Sequence, residues 1–151
     1  DDEEEETGRK RLMLIGSIDI NDAIYDLADE FGATIADDDM CTGRRYFSTM
    51  VTEPTVEGVV RRYFSRPHCA AKHRSLESRI NYLCAMAEKK KIDAAVFLYL
   101  KFCDPHSFDY PDIRDALEEK GVRTQLIEME QAVSPSGQLR TKMQAFLEML
   151  E

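Results

Sequence analysis

Four cysteines carry the most reactive side chains of this chain, and their spacing limits the chemistry they could perform. Cys41, Cys69, Cys84 and Cys103 lie far apart in sequence, so no CxxC pair is present. Cys103 follows closely on the most apolar stretch of the chain, which predicts a thiol held at the end of a buried strand. A rigid platform of that kind suits a metal ligand. The alternative for each cysteine is a packed thiol that acts as a small apolar side chain.

Two cysteine–histidine pairs resemble halves of a zinc site. Cys69 and His73 have the spacing C-x3-H, and Cys103 and His106 have the spacing C-x2-H. Both spacings are compatible with zinc ligation, but the two halves would come from different elements of the fold. Packed or free thiols in a reducing compartment therefore stay open as the alternative.

The remaining polar clusters have simpler interpretations. Asp37, Asp38 and Asp39 could bind a hard cation through their oxygens. Because neighbours on an extended chain point to opposite sides, we expect instead a solvated strand end. Gly16 and Ser17 predict a tight turn, since neither GxGxxG nor GxxxxGK[ST] is present. The chain also contains no GxSxG nucleophile elbow, which argues against a serine hydrolase of that class.

The composition argues against several classes of function. The 151 residues include 20 Lys and Arg against 29 Asp and Glu, and the first six residues are all acidic. This charge balance gives little support to a nucleic-acid-binding function, which needs a basic surface. No apolar run reaches the ~20 residues of a membrane helix, and no signal-peptide pattern is present. We expect a cytoplasmic protein, with an acidic disordered linker over residues 1–10 and a single α/β domain over residues 11–151.

Hydrophobic patterning predicts alternating strands and helices. Strands are expected over 11–17, 33–36, 93–100 and 123–129; helices over 21–31 (capped by Asn21), 55–64, 75–90, 111–120 and 136–151; and an irregular loop over 40–54. This alternation is typical of a three-layer α/β/α fold with a four-stranded parallel sheet, Rossmann- or flavodoxin-like. In such sheets ligands bind beyond the carboxyl ends of the strands.

The carboxyl ends of the predicted strands hold most of the chemically rich segments. We therefore expect these segments to share one edge of the sheet. They are Gly16–Ser17, Asp37 to Cys41, Lys101 to Asp104, and Glu128 to Glu130.

Four segments resemble motifs of one known family. The segment from Asp39 to Phe47 resembles CTG-x-R-x-F, and Lys101 to Pro105 resembles KFCDP. Residues 62–69 resemble RY-x(n)-HC, and residues 137–148 resemble GQLRTR-x-x-AFLE, with Lys142 where arginine is usual. The chain is similar to the 2-hydroxyacyl-CoA dehydratase and benzoyl-CoA reductase subunits, also called the 2-hydroxyglutaryl-CoA dehydratase D-component family. The resemblance covers the carboxyl-terminal half of such a subunit.

The resemblance implies an oxygen-sensitive iron–sulfur enzyme. Each subunit of the family holds one [4Fe-4S] cluster through three cysteines. Two of these lie in the amino-terminal half, and the third lies in the motif that Cys103 matches. Cys41 also matches a family cysteine and is a weaker candidate for an iron ligand. Thiolates are the usual ligands of such clusters.

The resemblance also implies partners and an activity for the complete subunit. The partners are the amino-terminal half of the same subunit, a second homologous subunit, an ATP-dependent activator protein and an acyl-CoA substrate. One electron from the activator reduces the thioester carbonyl to a ketyl radical anion, from which the hydroxyl group leaves. This chain alone would be inactive. The alternative, since fold does not imply function, is a non-redox flavodoxin-like module that binds a nucleotide or flavin.

Overall fold

A computed structural model of the protein describes residues 8–17, 22–67, 69–72, 75–130 and 137–150. Strands and helices alternate along these ranges, with a short 3-10 turn at Ala70–Lys72. The strands are β1 (Lys10–Gly16), β2 (Ala33–Asp39), β3 (Ala94–Leu100) and β4 (Arg123–Met129). The helices are α1 (Ala23–Glu30), α2 (Arg44–Phe47), α3 (Val56–Ser65), α4 (Leu76–Lys89), α5 (Asp104–Glu119) and α6 (Gly137–Glu148).

The four strands form one parallel sheet in the order β2-β1-β3-β4. Leu12 of β1 lies between Ile35 of β2 and Ala94 of β3, and β3 in turn pairs with β4. The prediction of a four-stranded parallel sheet is therefore confirmed. The chain adds strands on opposite sides of β1, which places a topological switch point between the carboxyl ends of β1 and β3.

Two apolar layers cover the two faces of this sheet. Leu12 and Leu14 face α1 and α6 on one side, while Met13 and Ile15 face α4 and α5 on the other. The alternation follows from the two-residue period of a strand. It requires apolar residues along a central strand, as β3 shows, where every residue is buried except the partly buried Leu100. The three-layer α/β/α prediction is confirmed.

Two elements differ from the expected boundaries. Helix α5 begins at Asp104 and runs through Pro111, which was expected in its first turn. Pro105 takes that position instead, where a missing backbone N–H leaves no hydrogen bond unmade. A further short helix, α2, lies inside the segment expected to be an irregular loop.

The remaining expectations concern the ends of the chain and its first helix. Strand β1 begins at Lys10, while residues 1–7 fall outside the described ranges, so the disordered linker stays a prediction. Asn21, the expected helix cap, also falls outside them, and Asp22 precedes α1. None of the helices in the described part of the chain combines the length and hydrophobicity that crossing a bilayer requires.

Candidate functional site

Ser17 joins the loops that follow three strands at the carboxyl edge of the sheet. Its carbonyl accepts a hydrogen bond from the Cys41 amide at 2.9 Å, and its hydroxyl accepts one from the Leu100 amide at 3.2 Å. Its own amide donates to the Leu98 carbonyl at 3.3 Å. The ends of β1, β2 and β3 therefore meet as expected, and Gly16–Ser17 is the connection that holds them together.

Cys103 lies at the switch point, between the end of β3 and the first turn of α5. Its amide donates to the Leu100 carbonyl at 3.1 Å, and its carbonyl accepts the first backbone hydrogen bond of α5 from His106 at 3.1 Å. The thiol is partly buried. Cys103 therefore lies at the N-terminus of α5, at the carboxyl edge of the sheet.

The residue before Cys103 has an unusual backbone conformation. Phe102 has a φ of 65°, in the left-handed region that non-glycine residues rarely adopt, and its side chain is 94% exposed. The side chain therefore contributes little packing energy to offset the strain of the backbone. The strained turn lies directly before Cys103, at the carboxyl edge of the sheet.

Cys41 lies beside the same edge, at the end of β2. Its sulfur is 3.4 Å from Arg45 Nη1 and 3.9 Å from both the Gly16 carbonyl and His106 Nε2. Burial raises the pKa of the Cys41 thiol, the Arg45 charge opposes that rise, and negative charge on Cys69, Asp39 and Cys103 adds to it. Cys69 and Cys103 therefore lie close enough to Cys41 to affect the pKa of its thiol.

Cys84 lies elsewhere in the fold. Its sulfur points at the Ala116 carbonyl, 3.8 Å away, between α4 and α5. Cys84 therefore acts as a packed thiol, the alternative that the sequence left open for every cysteine.

The three consecutive aspartates are not a solvated strand end, and that expectation is wrong. Asp37 forms an ion pair with Arg44 at 3.0 Å. The Asp38 carboxylate accepts from the Met40 amide at 3.0 Å and the Arg44 amide at 2.9 Å. Strand β2 extends through Asp39. The contacts of Asp37 and Asp38 hold the following segment, which carries Cys41, against the end of this strand.

Asp39 is the centre of a buried ionic network. It is fully buried, and it accepts hydrogen bonds from Arg45 Nε at 3.0 Å, Arg45 Nη2 at 2.7 Å and Arg79 Nη2 at 3.1 Å. Arg45 Nη2 also donates to the Asp39 and Gly16 carbonyls. Burial by itself lowers the pKa of Arg45, but the contact with Asp39 outweighs it and raises that pKa overall.

The network extends to α5 through Asp109, whose Oδ2 is 3.9 Å from Arg79 Nε. Burying charges is expensive unless each is paired, so the two arginines and two carboxylates stabilise one another. Together they join β2, α2, α4 and α5 directly below the thiols. The segment carrying Cys41 is thereby held against a rigid support.

His106 is a neutral histidine inside this cluster. It is 4% exposed, and burial, with the charges of Arg79 and Arg45, lowers its pKa to about 3. Its ring packs 5.0 Å from the Tyr99 ring. Within the described ranges its Nδ1 has no hydrogen-bond partner. His106 thus lies beside Cys41, not only three positions from Cys103 as the zinc interpretation assumed; His73 falls outside the described ranges.

The donor set can be compared with the needs of a metal site. Among the residues that the structure describes, no three His, Cys, Asp or Glu side chains form a group that could hold a metal ion alone. Cys103 is nevertheless a soft donor at the carboxyl edge, and His106, three residues further along α5, has a buried ring nitrogen with no hydrogen-bond partner in the described ranges. The thiols of Cys103 and Cys41 are of the type that holds an iron–sulfur cluster, which would need further ligands from outside the described residues.

Sequence reasoning missed the buried network, although a signal was present. Arg79 lies between Leu76 and Leu83 on the apolar side of α4, and Asp109 precedes Ile113 by one helical turn on α5. A charged residue on an otherwise apolar helix face must be paired or functional. The pattern could have identified both residues, but not Asp39 as their partner, because that contact joins distant parts of the chain.

One family motif lies away from the thiols. Arg140, in the segment resembling GQLRTR, donates to the Glu30 carboxylate at 2.6 Å and stacks 5.1 Å from the Phe31 ring centroid. The Arg140 hydrogen bond lowers the pKa of Glu30. Arg140 therefore fastens α6 to the end of α1.

Comparisons with known proteins agree with these motifs. A family model described as 2-hydroxyglutaryl-CoA dehydratase, D-component, matches residues 1–150. The chain is 30% identical over 142 residues to the (R)-phenyllactyl-CoA dehydratase beta subunit of Clostridium sporogenes, which covers 93% of this chain and 38% of that protein.

Two further relatives have similar names. Lactoyl-CoA dehydratase subunit beta of Anaerotignum propionicum is 30% identical over 146 residues, covering 93% of this chain and 38% of that protein. (R)-2-hydroxyglutaryl-CoA dehydratase subunit beta of Acidaminococcus fermentans is 27% identical over 73 residues, 48% of this chain and 19% of that protein. The chain spans about two fifths of the length of the first two relatives. It belongs to the 2-hydroxyglutaryl-CoA dehydratase D-component family.

Proposed function

We propose that this chain is part of a 2-hydroxyacyl-CoA dehydratase subunit and that Cys103 is one thiolate ligand of its [4Fe-4S] cluster. The observation that carries the proposal is the position of Cys103, partly buried at the switch point of the sheet, in a chain of this family. Ligands of open parallel sheets bind at that position. The names of the relatives favour a dehydratase over a benzoyl-CoA reductase.

The remaining cluster ligands lie elsewhere in the assembled enzyme under this proposal. The chain spans only 38% of the relatives' length, and no complete ligand group lies within its described residues. Cys41 is the second candidate on this chain. Burial raises the pKa of its thiol, and its sulfur already accepts from Arg45, so Cys103 is the preferred ligand.

The chemistry of the cluster determines what the protein around it must do. When bound, the cluster would supply one electron to the thioester carbonyl of a 2-hydroxyacyl-CoA, having received it from an ATP-dependent activator protein. The residues of this chain hold Cys103 rigid, keep the neutral His106 beside Cys41, and place the Arg45 charge near the sulfurs. Charge and hydrogen bonds around sulfur tune the potential of such a site. A second subunit completes the enzyme in this proposal.

The experiment measures iron in the intact dehydratase, purified and reconstituted without oxygen. We expect Cys103→Ser to lose most of the bound iron and the broad visible absorbance of the cluster. Cys84→Ser is the matched control, because Cys84 is also a free, partly buried thiol but packs between α4 and α5, and it should retain both. Equal iron in Cys103→Ser and the wild type would overturn the assignment.

The same samples separate the dehydratase from a flavin-binding module. A dehydratase should convert a 2-hydroxyacyl-CoA to the enoyl-CoA only when activator, ATP and reductant are all present. A preparation that contains bound flavin and no iron would contradict the proposal and support the flavodoxin-like alternative.

A further inference from the structure

Apolar side chains are exposed on α2, on α3 and on the segment between them, outside the core of the domain. These large apolar side chains include Met50, which is 74% exposed, and Val56, which is 77% exposed. The other members of this set, here called the α3 surface, are Tyr46, Phe47, Val51, Val59, Val60, Tyr63 and Phe64. Exposed apolar clusters of this kind mark interaction sites in soluble proteins.

Helix α3 is well formed but packs little on the rest of the domain. The Thr55 hydroxyl caps it by accepting from the Gly58 amide at 3.0 Å, and Gly58 is its single buried residue among those described. A Cβ at Gly58 would lie 2.1 Å from the Glu53 carbonyl, which fixes the helix closely against the preceding loop. The apolar side of α3 is therefore held in place without being used by the core.

The α3 surface also carries positive charge. The Arg66 guanidinium lies 4.7 Å from the Tyr63 ring centroid, and Arg62 lies 5.4 Å from that of Tyr46. Arg62 also donates to the Thr49 carbonyl at 2.9 Å. Arg61 is paired with Glu53 at 2.9 Å, and Glu57 lies in the first turn of α3. Arg62 and Arg66 therefore leave the region with a small net positive charge in a chain whose net charge is −9. This region fits a partner with an apolar centre and carboxylates at its margin.

A second copy of this chain fits the surface poorly. A two-fold dimer through α3 would bring Arg62 and Arg66 of both copies to the same interface, and like charges there disfavour association. Aliphatic side chains such as Val56, Val59 and Met50 also make the surface unlike a nucleotide site. Both arguments favour a different protein surface.

The location of the α3 surface indicates which part of the enzyme covers it. The α3 surface begins at Tyr46, five residues after Cys41, and ends at Phe64, five residues before Cys69. Arg62 of α3 donates to the Tyr46 carbonyl at 2.6 Å, and Arg45, the residue before Tyr46, donates to the Cys41 sulfur at 3.4 Å. Whatever covers α3 also approaches this edge. The relatives extend far beyond the part that this chain matches, and the described residues lack a full ligand group.

We infer that the α3 surface is the docking site for the remaining part of the same dehydratase polypeptide, which presents an apolar patch bordered by carboxylates. This inference rests on the proposed function, because it explains how the missing cluster ligands reach Cys103. Docking there closes the carboxyl edge and excludes water from the thiols.

Photo-crosslinking in the intact enzyme tests the inference. We would place p-benzoylphenylalanine at position 60 and map the crosslinked peptides by mass spectrometry. Crosslinks to residues of the same polypeptide outside these 151 residues support the inference. Crosslinks to a different subunit or to a second copy, or none at all, overturn it.

Substitution gives a second test with a matched control. Val59→Asp, added to the protein that carries p-benzoylphenylalanine at position 60, should reduce the yield of the intramolecular crosslink at least ten-fold, with the secondary structure unchanged by circular dichroism. Met149→Asp is the control, because Met149 is a large apolar residue, 71% exposed, outside the α3 surface, and it should leave the crosslink yield unchanged. Equal crosslink yields in the two variants would overturn the inference.

Iron content separates this inference from the proposed function. Wild-type enzyme that contains no iron but crosslinks as expected would contradict the cluster and support the docking surface. Enzyme with full iron and no crosslink at position 60 would contradict the docking surface alone.

Discussion

The Arg45 guanidinium donates a hydrogen bond to the Cys41 sulfur over 3.4 Å. On its other side the same guanidinium is fixed by the Asp39 carboxylate, at 2.7 Å. A buried positive charge therefore faces the thiols at the carboxyl edge, and its position is set by a fully buried carboxylate. This charge opposes the rise that burial causes in the pKa of the Cys41 thiol, so the buried network acts on that thiol through the position of Arg45.

Removing the charge of Asp39 should strongly destabilise the domain. Asp39→Asn keeps the shape of the side chain but leaves Arg45 and Arg79 buried without their shared carboxylate. We expect the free energy of unfolding to fall by about 3–5 kcal/mol, as when one partner of a buried ion pair is removed. Urea denaturation of the iron-free chain measures this.

Asp29→Asn provides the comparison, because Asp29 pairs with Arg9 while its side chain is 78% exposed. It should change the stability by no more than about 0.5 kcal/mol, as is usual for surface substitutions. Equal losses in the two variants would mean that the network around Asp39 contributes no more than a surface pair.

Acidification should weaken the domain through His106. Its pKa is lowered to about 3 by burial and by Arg79 and Arg45. Below pH ~6.5, His106 therefore becomes protonated in the unfolded chain but stays neutral in the folded chain. Stability therefore falls as the pH falls, by roughly 1 kcal/mol per unit between pH 6.5 and pH 5. His106→Gln should have a shallower slope in urea unfolding over that window, and identical slopes would refute the assignment.

The fold could be predicted from the sequence more completely than the site could. The alternation of strands and helices, with one continuous apolar run that forms β3, predicts a parallel sheet. In such a sheet the strand ends that carry Cys41 and Cys103 are expected at the same edge. The role of Asp39 could not be predicted, because its partner Arg79 lies 40 residues away. The start of α5 was misplaced because Pro111 resembles a first-turn proline, and Pro105 fills that position.

Gly16 should tolerate no larger residue at the end of β1. A Cβ there would lie 2.1 Å from the Leu98 carbonyl oxygen and 3.3 Å from Met40 Sδ, and the first of these is backbone of the neighbouring strand. Gly16→Ala should therefore destabilise the chain by about 2 kcal/mol, in the range of overpacked cores. Thermal unfolding measures the loss, and Gly137→Ala, where a Cβ meets nothing within 4 Å, should not show it.

Replacing Phe102 by glycine should increase stability, although an aromatic side chain is lost. Phe102 has a φ of 65° and is 94% exposed, and the left-handed conformation costs a non-glycine residue about 1–2 kcal/mol. Glycine removes that strain but gains about 0.5–1 kcal/mol of entropy in the unfolded chain. The net expectation for Phe102→Gly is a gain of up to about 1 kcal/mol.

Phe108→Gly separates this effect from the loss of an exposed aromatic ring. Phe108 is 80% exposed but lies within α5, where glycine destabilises by about 1 kcal/mol. The two substitutions should therefore shift the urea midpoint in opposite directions. Destabilisation by both would show that the Phe102 turn is unstrained. A stabilised Phe102→Gly variant that also binds less iron in the intact enzyme would show that the strain holds Cys103 in its ligand position.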